Sequence, residues 1–358
     1  MISVMEYDFY CGKRVFITGH TGFKGAWLCQ ILLHVGAVVT GFALEPPTSP
    51  NLYELANLES RMRSVTGDVR DFDALQNAME EAQPEIVFHL AAQPIVRTGY
   101  EQPVLTYETN VMGTVHILEC VRRIPSVRSF LNVTTDKVYL NKEWVWPYRE
   151  SDVLNGEDPY SNSKSCSELV TRSYRDSFFK AGRTAISTAR AGNVIGGGDF
   201  ARDRIIPTCV LSVMNGQPAF LRNPRSIRPY QHVLEALSAY LLIAWRQYED
   251  NEIADCYNVG PDESGCVSTG ELADLFCKEW GASARWEPRP EKEFREASYL
   301  KLDSSKIRAA LGWRPRWGIE ESVRKTVEWT RTYLEGGDIP EEMNREIEAY
   351  FRRTAEEC

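Results

Sequence analysis

Two short stretches of this 358-residue chain carry side chains able to move protons. The first is Tyr160-Ser161-Asn162-Ser163-Lys164. A cation one helical turn from a phenol favours the phenolate, provided a helix sets both on one face. To act as a base a tyrosine must fall from about 10 toward 7, roughly 4 kcal/mol of differential stabilisation. Asp158-Pro159 offers the helix start, an N-cap followed by proline in the first turn, so Tyr160 and Lys164 are predicted to share a face. The second stretch is Thr134-Thr135-Asp136-Lys137, directly after the apolar run Phe130-Leu131-Asn132-Val133. Ligands of open parallel sheets sit outside the carboxyl ends of the strands, so these groups are expected to face a cleft. Threonine and aspartate at a strand end also make turns, but three polar groups in a row exceed what a turn needs.

A third stretch, Gly19-His20-Thr21-Gly22-Phe23-Lys24-Gly25, has the chemistry of a phosphate cradle. Its spacing is G-x-x-G-x-x-G, with a strand predicted before it and a helix after. Glycines let the backbone turn tightly and approach a pyrophosphate, which then rests on the helix N-terminus. The acidic residue that would bind a ribose is Glu45, which falls just past the predicted strand end and reads equally as a surface carboxylate. Asp68-Val69, after a short strand, is the better candidate for holding adenine. No arginine stands ready for a 2′-phosphate, so NAD is expected rather than NADP.

Positive charge for a substrate diphosphate is concentrated in one window. Arg202, Arg204, Arg222, Arg225 and Arg228 share it with a single acid, Asp203, and planar guanidinium groups suit bidentate phosphate contacts. The alternative is a solvated loop. Elsewhere the chain is acidic, with a net charge of −9, which argues against a nucleic-acid surface. The 9 cysteines form no Cys-x-x-Cys pair and the 5 histidines lie far apart, so neither a disulfide frame nor a metal site is expected. There is no apolar run of bilayer length and no basic-then-apolar leader, and the expectation is a cytoplasmic enzyme without membrane partners.

These groups need a parallel sheet to bring them together. Strands are predicted at Arg14–Thr18, Val38–Ala43, Glu85–Leu90, Ser129–Thr134 and Thr184–Arg190, with a returning strand at Cys256–Val259. Amphipathic helices alternate with them at Gly25–His34, Phe72–Glu81 and Val111–Arg122, followed later by Leu234–Tyr248. The alternation predicts an α/β fold, a Rossmann-type doubly wound parallel sheet, joined to a smaller mixed α/β C-terminal lobe. The cofactor domain is expected to span 1–191 plus about 234–260, and the substrate lobe about 192–233 plus 261–358. Trp27, Trp313 and Trp317 read as core; Trp144 and Trp146 read as packing residues or as a cap on a sugar pocket.

The glycine turn, His89-Leu90-Ala91-Ala92-Gln93, Asn110-x-x-Gly113-Thr114 and Tyr160-x-x-x-Lys164 together resemble the extended short-chain dehydrogenase/reductases. Within that group the chain is similar, over nearly its whole length, to the dehydratases of the CDP-glucose branch. The similarity runs through Gly19–Trp27, Glu143–Glu150, Arg190–Asp199, Ile227–Val233 and Tyr299–Asp303. The resemblance implies NAD bound by Gly19, Thr21, Gly22, Phe23, Lys24, Gly25, Asp68, Val69, Leu90, Ala91, Ala92, Gln93, Tyr160 and Lys164. It implies a nucleotide sugar held by Arg97, Asn193, Arg204, Arg228 and Tyr299.

It also implies a redox-neutral cycle. Tyr160, activated by Lys164 and steadied by Thr135, takes the C4 hydroxyl proton while the C4 hydride leaves. The resulting ketone acidifies the C5 proton, a base removes it, Asp136 protonates the departing C6 hydroxyl, and hydride returns to C6. Lys137 stands where related dTDP-glucose dehydratases carry a glutamate base, so it is either the C5 base or a group that orders water or stabilises the enolate. A nucleotide-sugar 4-epimerase would share Tyr160 and Lys164 but needs no acid and base beside Thr135. A non-catalytic NAD-binding regulator would need none of these groups. Related enzymes pair through the segments here spanning Val111–Arg122 and Tyr160–Phe179, so a homodimer or homotetramer is expected.

Overall fold

The structure is a computed structural model that describes residues 8–180, 182–289 and 299–352. Six strands come first: β1 (Arg14–Thr18), β2 (Val38–Ala43), β3 (Arg63–Thr66), β4 (Ile86–His89), β5 (Ser129–Thr135) and β6 (Ala185–Ala191). After them come β7 (Asn193–Ile195), β8 (Ala219–Leu221), β9 (Ile227–His232), β10 (Cys256–Val259), β11 (Cys266–Ser268) and β12 (Trp286–Pro288). The main sheet has seven strands in the order β10-β6-β5-β4-β1-β2-β3, and every pairing is parallel. This is the doubly wound order, in which the direction of winding reverses between β1 and β4 and opens a crevice beyond their carboxyl ends.

Neighbouring residues along each strand point to opposite faces, and both faces are dry. Phe16, Val87 and Phe130 join one core; Ile17, Phe88 and Leu131, next to them in sequence, join the other. Helices close each core from its own side, the long ones being numbered α1 to α9. Helix α1 (Phe23–His34) lies in the core of Ile17, and α2 (Phe72–Ala82) in that of Phe16. Next come α3 (Gly113–Arg123), on the α2 side, and α4 (Pro159–Tyr174). The sequence places the start of α1 at Gly25, two residues late. Gly22 is the N-cap, and Phe23 and Lys24 already belong to the helix.

Beyond β6 the chain builds the separate core of a second lobe from α5 (Ile205–Met214), β7, β8, β9, α7 (Thr269–Trp280) and α8 (Ile319–Leu334), between which α6 (Val233–Glu249) returns to the main sheet. The strands here form a three-stranded sheet, β11-β9-β7, and a two-stranded sheet, β12-β8. The last helix, α9 (Ile339–Phe351), places Ile339, Met343 and Ile347 in the same core as Trp27, Leu28 and Trp313. Trp317 packs against that core from partial burial. Among the described residues no helix is long and apolar enough to cross a membrane.

Candidate active site

The crevice is framed by the glycine turn. Gly19 adopts φ +77°, and a Cβ there would stand 2.7 Å from the Ala91 nitrogen. A Cβ on Gly25 would stand 2.2 Å from the Gly19 carbonyl oxygen, so the start of α1 closes directly on the turn. No side chain caps α1, whose first N–H groups are thereby left for a ligand. Thr21 turns away, donating to the Leu44 carbonyl at 2.9 Å, and Phe23 lies under Gly196. The donor set fits the pyrophosphate of a dinucleotide: backbone N–H groups, a helix N-terminus and glycines whose missing Cβ atoms make the approach possible.

Around the turn, the residues expected to hold the rest of the cofactor line the same edge. Leu90, Ala91, Ala92 and Gln93 leave β4, with the Ala91 N–H bound to Thr18 Oγ1 at 3.2 Å. Asn110 fixes Gln93 from both sides, accepting from its N–H at 2.8 Å and donating to its carbonyl at 3.1 Å, and also donates to Ser163 Oγ at 2.9 Å. Val69 is buried against Gly113. Asp68 is engaged by Arg70, which bonds its carboxylate through the backbone N–H at 2.9 Å and a guanidinium nitrogen at 2.6 Å. That contact holds Asp68 below the usual carboxylate range. Glu45 is exposed past the end of β2 and accepts a bond from Thr66 Oγ1 at 3.3 Å.

The side chains singled out as able to move protons lie together at the end of β5 and the start of α4. Asp158 caps α4 by accepting the Ser161 N–H at 3.0 Å, and Pro159 is its first residue. Tyr160 and Lys164 are therefore one turn apart on a buried face, 8% and 4% exposed. Lys164 Nζ donates to the Val133 carbonyl at 3.2 Å, which ties α4 to β5. Thr135 ends β5, and its hydroxyl stands between two acceptors, the Tyr160 oxygen and Asp136 Oδ1 at 3.0 Å. Lys137 Nζ bridges Asp136 Oδ1 at 3.0 Å and Asn193 Oδ1 at 3.1 Å. The second carboxylate oxygen of Asp136 is buried and has no partner among the described residues.

Electrostatics in this cleft run against ionisation. Burial pushes the Tyr160 phenol up to about 12, with the Thr135 hydrogen bond and the Arg204 charge pulling it down. Burial likewise lowers Lys164 to about 8, opposed by Glu168. Lys24 is lowered to about 7, first by burial and then by Arg204 and Lys164. Arg204, Lys164 and Lys137 thus surround Lys24, with Asp136 beside them, and the excess of positive charge suits an anionic ligand.

Of the window of five arginines, Arg204 reaches these groups and Arg228 is buried nearby in sequence on β9. Arg204 pairs with Asp199 at 2.9 Å and acts on both Lys24 and Tyr160. Arg228 is buried on β9, whose neighbour β7 carries Asn193. Tyr299 bridges Ile227 at the start of β9 and donates its N–H to Glu143 Oε2 at 2.9 Å. Arg222 pairs with Asp203 at 3.2 Å, while Arg202 and Arg225 are exposed. Arg97 lies on the short helix Val96–Glu101, 3.6 Å from Glu101, and Gly99 of that helix packs against Tyr160. Trp144 packs on Tyr148, with ring centroids 5.6 Å apart, whereas Trp146 is 68% exposed.

Sequence reasoning passed over the network behind these groups. Glu168, 3% exposed, accepts from Thr188 Oγ1 and an Arg190 guanidinium nitrogen, each at 2.8 Å, and from Thr134 Oγ1. The signal was available, since Tyr160, Lys164 and Glu168 recur at intervals of four along one helix face.

Comparison with known proteins agrees with this geometry. The sequence profile of GDP-mannose 4,6 dehydratase matches residues 16–326. A CDP-glucose 4,6-dehydratase of Salmonella typhimurium is 47% identical over 357 residues, 98% of this chain and 99% of that protein. Among solved structures, the fold matches a UDP-glucose 4-epimerase of Thermus thermophilus in complex with NAD, with a TM-score of 0.77, 25% identity, and 88% of this chain and 98% of that one covered. It also matches a dTDP-glucose 4,6-dehydratase of Bacillus anthracis in complex with NAD, with a TM-score of 0.74, 20% identity, and 91% and 99% covered. The chain belongs to the GDP-mannose 4,6 dehydratase family, within the NAD-dependent extended short-chain dehydrogenase/reductases.

Proposed function

We propose that this protein removes water from CDP-glucose to give CDP-4-keto-6-deoxyglucose. One observation carries the reading: a buried carboxylate and a lysine, Asp136 and Lys137, stand beside Thr135 in the cleft of Tyr160 and Lys164. An epimerase has no use for an acid and a base at that point. The 47% identity to the Salmonella typhimurium CDP-glucose 4,6-dehydratase supports the choice of base.

In this reading Tyr160 holds the C4 hydroxyl through the hydrogen-bonded line to Thr135 and receives its proton. Lys164 steadies the phenolate from one turn away. Bound NAD supplies the hydride acceptor for C4 and the hydride donor for C6, and it is held by the glycine turn, Asp68-Val69 and Leu90–Gln93. Asp136 presents its unpartnered oxygen to the C6 hydroxyl, and Lys137 takes the C5 proton once the C4 ketone has acidified it. Arg204, Arg228 and Asn193 receive the nucleotide diphosphate and the sugar, with Arg97 and Tyr299 at the rim. The division of labour follows the two cores: residues 1–191 with about 234–260 for the cofactor, and about 192–233 with the segment from 261 for the nucleotide sugar.

We read α3 and α4 as the surface through which two copies pair, supported by the exposed Met112, Leu169 and Phe178 on or beside them. Such a reaction, on a phosphorylated nucleotide sugar and with a dinucleotide, belongs in the cytoplasm.

The test is to incubate the purified protein with CDP-glucose and, separately, with dTDP-, UDP- and GDP-sugars. The expected result is loss of one water from CDP-glucose without net NADH. A change of C4 configuration with no loss of water would give the site to an epimerase instead.

A further inference from the structure

We propose that Glu168 is a positioning residue for this reaction: clamped by Arg190, Thr134 and Thr188, its carboxylate sits one turn beyond Lys164 and holds that ammonium charged beside Tyr160. The inference rests on the reading of Tyr160 and Lys164 as the proton-moving pair.

A carboxylate at this depth needs a reason. Glu168 and Arg190 are each 3% exposed, and two charges taken from water cost more than an apolar pair of the same volume. Every acceptor of the carboxylate is spoken for. Oε2 takes Arg190 and Thr188 at 2.8 Å, and Oε1 takes Thr134. Arg190 is held in turn by the Tyr139 hydroxyl at 2.9 Å and the Glu150 carbonyl at 3.2 Å, and Tyr139 donates to Asn258 Oδ1 at 2.6 Å. Donors on three sides fix both the charge and the position of the carboxylate.

That position faces the reacting groups. Tyr160, Lys164 and Glu168 are one turn apart in succession, about 6 Å of helix rise between neighbours, all on the buried face of α4. Thr134, which binds Glu168, precedes Thr135, which binds Tyr160, so one strand end and one helix face are joined at both ends. The other groups around Lys164 offer no compensating anion. Lys24 carries like charge, Tyr160 is the partner to be ionised, and His89 is kept neutral by burial that pulls it to about 3. Burial drives Lys164 down, and Glu168 is the one group opposing it. A neutral Lys164 cannot favour the phenolate.

Removing the Glu168 charge lets the Tyr160–Lys164 pair lose its last proton at lower pH, so the alkaline limb of the rate profile must move toward acid. Glu168→Gln alone strands Arg190 and endangers folding, so Glu168→Gln/Arg190→Gln, which removes both charges together, is the companion variant. The measurement is the pH profile of kcat with CDP-glucose, beside KM and NAD affinity. The expected result for Glu168→Gln is an alkaline limb moved down by about one unit and a kcat about tenfold lower near neutrality; the double variant, which also loses the Arg190 cation, should move the limb the same way by less, and in both KM and NAD affinity stay nearly unchanged. Glu168→Asp, which keeps the charge, should return most of the limb. A folded, NAD-binding double variant whose limb has not moved would overturn the proposal and leave Glu168 a packing residue. Tyr160→Phe separates the two levels: if it stays active, the reading of the pair fails, whatever the Glu168 variants do.

Discussion

Lys137 Nζ lies 3.0 Å from Asp136 Oδ1, so the residues assigned to the acid and base steps are bonded to each other across one peptide unit. The two assignments require a protonated carboxyl and a neutral amine. Asp136 is fully buried, with Lys137 as its bonded neighbour. Asp136→Asn is therefore expected to lower dehydration by about 10²- to 10⁴-fold, the usual worth of a positioned acid or base. Because C4 oxidation does not need it, NADH absorbance should build up on adding CDP-glucose. A variant that dehydrates at the wild-type rate would remove Asp136 from the mechanism.

Tyr160→Phe should lose turnover by a similar factor while still binding NAD, because the phenol makes none of the glycine-turn contacts. Tryptophan fluorescence on titration with NAD and turnover of CDP-glucose read the two separately. Here no NADH should accumulate, since C4 oxidation is the step removed, and that distinguishes this variant from Asp136→Asn.

Gly25→Ala places a methyl 2.2 Å from the Gly19 carbonyl, with backbone rather than a flexible side chain in the way. The turn must open, and α1 with it. Affinity for NAD, measured by calorimetry, is expected to weaken at least tenfold, about 1.4 kcal/mol. Unchanged affinity would mean the turn does not meet the cofactor.

Arg228→Met should raise KM for CDP-glucose by about tenfold or more, as expected for losing a charge-assisted contact of about 1.5–3 kcal/mol, with a smaller effect on kcat. A variant that alters kcat alone would place Arg228 on the reacting sugar and not on the diphosphate.

Glu235 gives a stability test that does not involve the active site. It opens α6, and its carboxylate takes the N–H groups of Arg316 and Trp317, at 2.9 and 2.6 Å, and the Tyr350 hydroxyl at 2.7 Å. Burial nevertheless raises it to about 7. The unfolded chain ionises Glu235 near the ordinary glutamate value of 4.5, while the folded protein keeps the proton until about 7, so this contribution is present at low pH and lost as pH rises through that window. Glu235→Gln keeps the shape and does not titrate. Its thermal stability relative to wild type should climb between those pH values, by up to about 3 kcal/mol. A constant difference across the window would show that Glu235 titrates normally.

Much of the site could be read from single stretches. The glycine turn, the Tyr160–Lys164 spacing with its Asp158-Pro159 cap, and Thr135-Asp136-Lys137 at a strand end are local patterns. In each case the backbone geometry that makes the chemistry is set within a few residues. The strands of the main sheet were legible as apolar runs between turn residues, whereas β7, β8, β9, β11 and β12 of the second lobe, mostly short, were not among the predicted strands. Phe23 was missed as a helical residue because the glycine on either side suggested a longer loop. Arg202, Arg204, Arg222, Arg225 and Arg228 looked alike in sequence, because charge density says nothing of direction.

What the sequence determined by itself was therefore the repertoire: the fold class, the glycine turn, and the side chains proposed to exchange protons. Only the tertiary structure decided their partners. It paired Lys137 with both Asp136 and Asn193, set Arg204 beside Tyr160 while leaving Arg225 exposed, and put Arg190 against Glu168. Each of those choices depends on contacts between residues far apart in the chain, which packing of the whole core fixes and no local pattern contains. The charge state of Lys164 follows from the same cause, for it is burial by distant elements that lowers it and one carboxylate that resists.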